Sequence, residues 1–284
     1  MPELPEVEVL VRYLAPLLKD QTIRGVEVRR ARVLRSTSER EFKRALAGAR
    51  FTDLTRRGKY LLFTLQPGRR RTTLCLLGHL GMTGRMYLQA ARSSFAKHAA
   101  VVLHLGRTNF IFEDTRYFGR LTLDIGALST LGPEPLSENF KVDDFFQALR
   151  RSTQPIKVKL LDQSIVAGVG NIYASEALFR AGLSPRLAAR RLTLSQAEHL
   201  RSSIREVLAD AIRFGSTVPL DWAGEDGQNT LFYYGQADRT ESTYEERLQV
   251  YDREGQPCRR CKTPVKRIVQ AARSTFYCPH CQKA

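Results

Sequence analysis

The sequence predicts an α+β multidomain protein with an N-terminal helix and a β-rich domain, then a helical domain and a C-terminal cysteine-rich module. Three observations carry this reading. Short β-rich runs crowd residues 22–124, helical apolar periodicity takes over beyond the prolines near 133, and four of five cysteines fall in the last 27 residues. A length of 284 residues suits two ordinary domains better than one. Hydrophobic content of 43% and charged content of 26% exclude wholesale disorder.

The elements follow in order. After Pro2 and Pro5, apolar residues at Val7, Leu10, Val11, Leu14, Leu17 and Leu18 line one face of a helix. Strands are expected over residues 23–28, 60–65, 73–77, 99–105 and 109–112, punctuated by turn residues such as Gly68 and Gly106. A short helix is expected near 41–46. Strands spaced this closely suggest a sandwich or a barrel. Leu131-Gly-Pro-Glu-Pro135 reads as a linker, because two prolines block regular continuation. Helices are then expected over 142–149, 155–161, 172–181 and 195–214. In the last, Ser195 is the expected N-cap, Glu198 completes a capping box, and Gly215 ends the helix. Residues 216–250 show no clear period and read as a long loop. The expected division is 1–130, a linker and first helix over 131–150, a helical domain over 151–250, and a zinc module over 251–284.

Charge narrows the function. Forty-five Lys plus Arg against 29 Asp plus Glu give +16, with a pI near 10.0. Residues 253–284 hold eight basic and one acidic side chain, a local +7. Such a field attracts polyanions; DNA or RNA is the first choice, and anionic lipid or ribosomal RNA also fits. No run of 18 apolar residues exists to span a membrane. The first eight residues are acidic where a secretion signal is basic, so a cytoplasmic protein is expected.

The cysteines follow the pattern Cys258-x2-Cys261-x16-Cys278-x2-Cys281. Two such knuckles supply four thiolates, the full tetrahedral set of a structural Zn²⁺, with no position left for water. Two disulfides or a redox pair are the alternatives, and both suit a cytosolic chain poorly. His280, between the last two cysteines, is expected to be exposed. Cys75, alone in an apolar run, is expected to pack as a small hydrophobe. Lys262, Lys266, Arg267 and Arg273 fall between the knuckles, where a two-stranded hairpin would present a basic ribbon.

The N-terminus is a chemical group in its own right. A small second residue normally permits removal of Met1, which would leave Pro2 as a secondary amine. An α-amino group titrates near 7.7–8.0, so an appreciable fraction is unprotonated at neutral pH. Condensed with a sugar aldehyde it gives a permanently cationic iminium, the electron sink that elimination requires. Glu3 and Glu6 lie beside it to move protons. Most chains beginning Met-Pro make no such use of it.

These fragments occur together in order. They are Met1-Pro-Glu-Leu-Pro-Glu-Val-Glu8, Lys59 in Gly-Lys-Tyr-Leu-Leu, and His79-Leu-Gly-Met-Thr-Gly84. Then come Asp114-Thr-Arg-Tyr-Phe-Gly119, Leu131-Gly-Pro-Glu-Pro-Leu136, Gly168-Val-Gly-Asn-Ile-Tyr-Ala-Ser-Glu176 and the knuckles. Over essentially its whole length the chain resembles the formamidopyrimidine-DNA glycosylase branch of the family shared with endonuclease VIII. The resemblance implies an N-terminal helix plus two-layer β-sandwich, a helix-two-turns-helix domain, and a β-hairpin zinc finger holding one structural Zn²⁺. It implies a monomeric base-excision-repair enzyme without nucleotide cofactor, acting on double-stranded DNA with oxidised or abasic nucleotides. Such an enzyme removes oxidised purines such as 8-oxoguanine and formamidopyrimidines, then cleaves the strand by β,δ-elimination. A bacterial cytoplasm, with nucleoid association through DNA, is the implied location.

By the same resemblance Pro2 is the nucleophile, Glu3 its acidic partner, and Lys59 a strand lysine on phosphate and the lesion side. Glu6 and Glu176 shape the pocket, unless they only satisfy buried backbone groups. Extruding a nucleotide leaves a gap, which Met82, Arg116 and Phe118 fill as wedges and as a donor to the orphaned base. The alternative is that Met82 and Phe118 are core residues. His79 belongs to the same DNA-facing set. Asn171 follows two glycines at an expected helix start and binds phosphate, or acts as an N-cap, or both. Arg273 and Lys157 complete the phosphate contacts.

Two features depart from the pattern. Tyr117 stands where a basic residue is expected, and the segment from Ser216 to Tyr251 is long and aromatic, with Trp222, Phe232, Tyr233 and Tyr234. Aromatic stacking grips a base without purine selectivity, so an endonuclease VIII-like enzyme for oxidised pyrimidines stays open. So do an inactive zinc-finger protein that binds damaged DNA and, more remotely, an RNA-binding protein.

Overall fold

The computed structural model describes residues 2–68, 72–215 and 247–283, together with the backbone of 220–221 and 231–232. The chain forms two compact units. The first is built on Glu6–Ser129 and includes Pro2; the second combines Glu3–Pro5 with Thr130–Thr217 and the C-terminal chain from Ala237.

Helix α1 spans Leu4–Leu18, its first two residues belonging with the second unit. Val7, Leu10, Leu14 and Leu18 are fully buried as their spacing predicts, whereas Leu17 sits off that face and is 42% exposed. Then come β1 (Gly25–Val28), α2 (Glu39–Leu46), β2 (Arg50–Arg57), β3 (Tyr60–Gln66), β4 (Leu74–His79), β5 (Gly84–Ala90), β6 (Ala99–His104), β7 (Thr108–Asp114) and β8 (Arg120–Thr122). Two four-stranded antiparallel sheets result, β1-β6-β7-β5 and β2-β3-β4-β8, so the first unit is a sandwich and not a barrel. Strand β3 alternates buried and half-buried residues, which turns Leu61, Phe63 and Leu65 inward. Phe63 meets Phe51 of β2 edge-on at 6.0 Å and Phe110 of β7 at 5.5 Å. One aromatic cluster thus joins the two sheets.

The second unit contains α3 (Val142–Arg150), α4 (Ile156–Leu160), α5 (Asn171–Arg180) and α6 (Leu194–Arg213). Its core gathers Leu4, Phe145, Leu149, Ile156, Tyr173, Leu178, Leu200 and Ile204. Helix α6 begins one residue before the predicted start, and its cap is Thr193 rather than Ser195. Thr193 accepts from the Gln196 N–H at 3.2 Å, and the Gln196 side chain accepts from the Thr193 N–H at 3.0 Å. Both Thr-x-x-Gln and Ser-x-x-Glu satisfy the pattern; the extended backbone required of a cap occurs at Thr193 (φ −83, ψ 162). Gly215, at φ +82, ends the helix in the left-handed region.

Within the span expected to be a long loop, β9 (Leu220–Asp221) pairs antiparallel with β10 (Leu231–Phe232). Trp222, Tyr233 and Tyr234 lie outside the described residues, as does the side chain of Phe232. The expected hairpin between the knuckles is present as β11 (Lys266–Gln270) and β12 (Arg273–Tyr277). Ala271 and Ala272 turn it with both φ angles positive, at 47° and 57°, which a right-twisted two-residue hairpin demands. Among the described residues, no helix is long and apolar enough to cross a membrane.

Replacing Phe63 with Ala removes the ring that links the two sheets. A destabilisation of about 3–5 kcal/mol is expected in urea unfolding of the first unit. A loss under about 1 kcal/mol would mean that the sheets do not depend on this contact.

Candidate functional site

In the second unit the site is organised by the start of α5. Gly168, at φ +86, and Gly170 let the chain pass close to residues 3 and 4. A Cβ on Gly170 would lie 2.4 Å from the Glu3 carboxyl carbon, and one on Gly168 would lie 2.6 Å from Leu4. The Leu4 N–H donates to the Gly168 carbonyl at 3.0 Å. Glu3, buried, accepts from the Ile172 N–H at 2.9 Å and the Tyr173 N–H at 3.4 Å. Its carboxylate therefore occupies the helix N-terminus, where free amides and the dipole favour negative charge.

Asn171 is the first helical residue, while the N-cap position is taken by Gly170, so the N-cap alternative for Asn171 is corrected. Freed from capping, its side chain turns outward from the helix start. Asn171 Nδ2 donates to the Ser274 carbonyl of β12 at 2.9 Å, and Asn171 Oδ1 accepts from Lys157 Nζ. Lys157 also donates to the Ser274 carbonyl, at 3.3 Å. Burial, reinforced by the Arg273 charge and opposed by Glu3, pulls the Lys157 ammonium down to about 8. Lys157, Asn171 and the exposed Arg273 thus gather at the turn end of the hairpin, where Val269 pairs with Ser274 and Gln270 with Arg273. Tyr251, which has no sequence signal, joins this network through a hydrogen bond to Asn171.

In the first unit two loops present the residues expected to enter a duplex. Asp114, fully buried, accepts from Thr83 Oγ1 at 2.6 Å, the Arg116 N–H at 3.1 Å and the Gly119 N–H at 2.7 Å. Gly81, at φ +62, packs so tightly on the other loop that a Cβ would lie 2.5 Å from the Gly119 nitrogen. The loops are therefore clasped together, and Met82 (45% exposed) and Phe118 (44% exposed) project from them. Neither is a core residue. The Arg116 guanidinium lies 4.8 Å from the Phe118 ring centroid. Tyr117 takes a left-handed φ of 54°, and its hydroxyl accepts from Arg30 Nε at 3.2 Å. Arg35 Nη2 holds the Phe118 carbonyl at 3.0 Å.

His79 Nδ1 accepts from the Gly81 N–H at 3.0 Å, which requires the neutral ring. Burial, with Arg120, Lys59 and Arg35 nearby, drives its pKa to about 4. Lys59 is buried but is not a strand residue. It occupies with Gly58 the two-residue turn between Arg57 and Tyr60, because Gly58 supplies the positive φ of 55°. Pro2 and Glu6 are also buried.

Glu176 is wholly enclosed. Its carboxylate accepts from the N–H groups of Gln249, Val250 and Tyr251 at 2.8, 2.9 and 2.8 Å, which anchors the chain that enters the finger. Desolvation raises its pKa despite those three bonds.

The four cysteine sulfurs lie within 4.8 Å of one another, with Cys258–Cys281 at 3.9 Å and Cys261–Cys278 at 3.4 Å. A tetrahedron with Zn–S bonds of about 2.3 Å has edges of about 3.8 Å, so the donor set fits Zn²⁺. These separations exceed a disulfide bond, and His280 is exposed as expected. Cys75 is half-buried on β4, and burial raises its thiol pKa.

Three family models match the chain in succession. These are the formamidopyrimidine-DNA glycosylase N-terminal domain over residues 1–121, its H2TH domain over 131–220, and the zinc finger found in FPG and IleRS over 255–284. The formamidopyrimidine-DNA glycosylase of Thermus thermophilus is 44% identical, covering 99% of this chain and 98% of the relative. That of Desulfitobacterium hafniense is 39% identical, covering 99% and 100%. Among solved structures, the Lactococcus lactis Fpg bound to abasic-site DNA matches with a TM-score of 0.86 at 32% identity, covering 99% of this chain and 100% of that one. A variant of that protein bound to Fapy-dG DNA matches at 0.87, again at 32%, with both chains fully covered.

Removing zinc with a chelator is expected to unfold the finger, because structural zinc binding and folding of such modules are one equilibrium. Hydrogen exchange would then show protection lost across β11 and β12 and kept in β3 and β7. Unchanged protection in the hairpin after complete metal removal would overturn this.

Proposed function

We infer that this chain, which belongs to the formamidopyrimidine-DNA glycosylase family, is a bifunctional DNA glycosylase and abasic-site lyase that removes oxidised purines from duplex DNA. The observation that carries the chemistry is the Glu3 carboxylate, held by the amides of α5 one residue from Pro2. With Met1 removed, the Pro2 nitrogen lone pair attacks C1′ as the N-glycosidic bond breaks, and the base leaves with the bonding pair and a proton. Protonation of O4′ by way of Glu3 opens the sugar and gives a cationic imine. That cation acidifies C2′–H. Loss of this proton expels the 3′-phosphate, and a second elimination expels the 5′-phosphate. Duplex DNA and one structural Zn²⁺ are the only partners this scheme requires.

Lys59 and His79 serve the lesion side, while Met82, Arg116 and Phe118 fill the space left by the extruded nucleotide. The clasped, exposed loops support that assignment. Lys157, Asn171 and Arg273 grip phosphates on the second unit. Glu6 shapes the pocket; Glu176 acts at a distance through the backbone it anchors. One extruded nucleotide needs one pocket, so the protein works as a monomer. Its place is the bacterial cytoplasm, on the nucleoid. Oxidised pyrimidines form a second substrate class, a reading favoured by the Lactococcus lactis Fpg bound to oxidised-pyrimidine DNA.

Borohydride reduction during turnover of an 8-oxoguanine duplex is expected to trap a covalent adduct, which mass spectrometry places on Pro2. Glu3→Gln should lower strand cleavage by roughly 10²–10⁴-fold. An adduct confined to a lysine would sink the mechanism. A duplex carrying a dihydropyrimidine ranks the two substrate classes.

Duplex affinity is expected to fall as pH rises through about 8. There Lys157 loses the proton that its burial and the Arg273 charge already weaken. Lys157→Arg stays charged and should flatten the profile in fluorescence anisotropy between pH 7 and 9. An identical slope in the variant would show that this ammonium contacts no phosphate.

A further inference from the structure

The second unit carries a basic cleft of about 480 Å³ whose lining, apart from the anchoring acid Glu176 and its partner Gln249, has no part in the roles above. It is bounded by the last turns of α5 and α6, by the chain at Arg247–Gln249, and by Arg259 and Arg260 of the first knuckle. Asn171 and its phosphate clamp lie at the opposite end of α5, about 15 Å away along the helix.

The lining holds five guanidiniums against two carboxylates, and both carboxylates are committed. Asp210 pairs with Arg180 at 2.9 Å, and Arg180 also reaches Glu206 at 3.1 Å. Glu176 is spent on the backbone of residues 249–251. Among the described residues, Arg213, Arg247 and Arg260 form no ion pair.

These three are nonetheless fixed in place. The Arg247 guanidinium stacks 3.7 Å from the Phe214 ring centroid, and Arg213 lies 5.4 Å from the same ring. Arg260 lies 4.4 Å from the Phe179 ring and donates to the Phe179 carbonyl at 3.4 Å. Among the described residues Arg247 Nε is buried without a hydrogen-bond partner, an uncompensated donor at the cleft wall. Offsetting the dipoles of two helix C-termini accounts for about one unit of positive charge, less than the cleft holds. Guanidiniums lie over both phenylalanine rings of the lining, Phe214 and Phe179.

We propose that this cleft binds a compact polyphosphate anion, at a site separate from the DNA-contacting face. Forked guanidiniums match phosphate oxygens, and several of them converging at fixed positions suit a ligand with several charges close together. Inorganic tripolyphosphate and the triphosphate of a nucleotide share that chemistry. The proposal stands independently of the glycosylase reading, since no catalytic group lines the cleft.

The test is calorimetric titration of the zinc-loaded full chain with tripolyphosphate, ATP and inorganic phosphate at constant ionic strength. One saturable site for tripolyphosphate is expected, with inorganic phosphate weaker. The double variant Arg213→Gln, Arg247→Gln should lose roughly tenfold or more in affinity, as expected for lost charge-assisted hydrogen bonds. Arg273→Gln, on the DNA-contacting face, should bind as well as the parent. Equal affinity for ATP and tripolyphosphate means that phosphate alone is read; tighter ATP means that a nucleotide is the ligand. No saturable site, or binding lost in Arg273→Gln and kept in the double variant, overturns the proposal. Should the double variant melt early, Arg213→Gln alone, whose guanidinium is the more distant from Phe214, applies the same criterion.

Discussion

The site of the second unit depends on one interaction, the carboxylate of Glu3 at the N-terminus of α5. A helix start leaves backbone N–H groups without intrahelical partners, and here the residues that carry them are half-buried at Ile172 and buried at Tyr173. A carboxylate answers both the missing acceptors and the dipole, and each charge-assisted bond contributes about 1.5–3 kcal/mol. The glycines at 168 and 170 follow as a geometric consequence, since any side chain there would collide with Leu4 or Glu3. So does the place of Asn171. With Gly170 in the cap position and Glu3 serving the next amides, Asn171 can spend its side chain on Lys157 and the hairpin. Helix, N-terminal acid and zinc-held hairpin thereby share one polar network.

The first unit solves a different problem, which is to hold apolar and cationic side chains in water without letting them collapse onto the core. Met82 and Phe118 gain nothing from exposure, so rigidity must come from the backbone beneath them. Asp114 supplies it by gathering a hydroxyl and two amides from both loops. The Gly81–Gly119 approach removes the slack that side chains would introduce. Tyr117 fits this economy of motion: its phenol ties the loop to Arg30, and its left-handed backbone lies between Arg116 and Phe118, whose side chains meet with the guanidinium 4.8 Å from the ring centroid. A side chain carried on so rigid a loop has little conformational entropy left to lose on binding.

Much of this was legible in the sequence because it is local. Alternation marks β3, helical spacing marks α1 and α5, and the knuckle spacing marks the metal set. Strand β2 was not legible: Arg50–Arg57 is mostly polar, and only its pairing with β3 makes it a strand. The start of α6 was misread because two overlapping capping patterns fit, and backbone conformation chooses between them. Lys59 reads as part of a strand, since nothing local reveals that Gly58 turns the chain one residue earlier. Glu3 with Ile172, and Glu176 with Val250, are contacts between segments 74 or more residues apart. No periodicity encodes such pairs; a buried acid in a sequence announces only that some partner must exist.

The net charge of +16 points to a polyanion, yet it is a poor map of where one binds. Many of the arginines are used as flat hydrophobic caps. Arg29 lies over Phe95, Arg201 over Phe140 and Arg186 over Tyr277, each covering an aromatic face while its charge stays at the surface. The cation whose charge the fold disfavours most is instead a buried one, Lys157, pulled down to about 8 by desolvation and by Arg273. The electrostatic part of an exposed arginine's pairing with a phosphate is screened by water and salt. A buried ammonium whose proton is loosely held gains more, because an arriving anion stabilises the charged form that the fold disfavours. The surface excess of positive charge acts instead over a longer range, through a field that draws polyanions near.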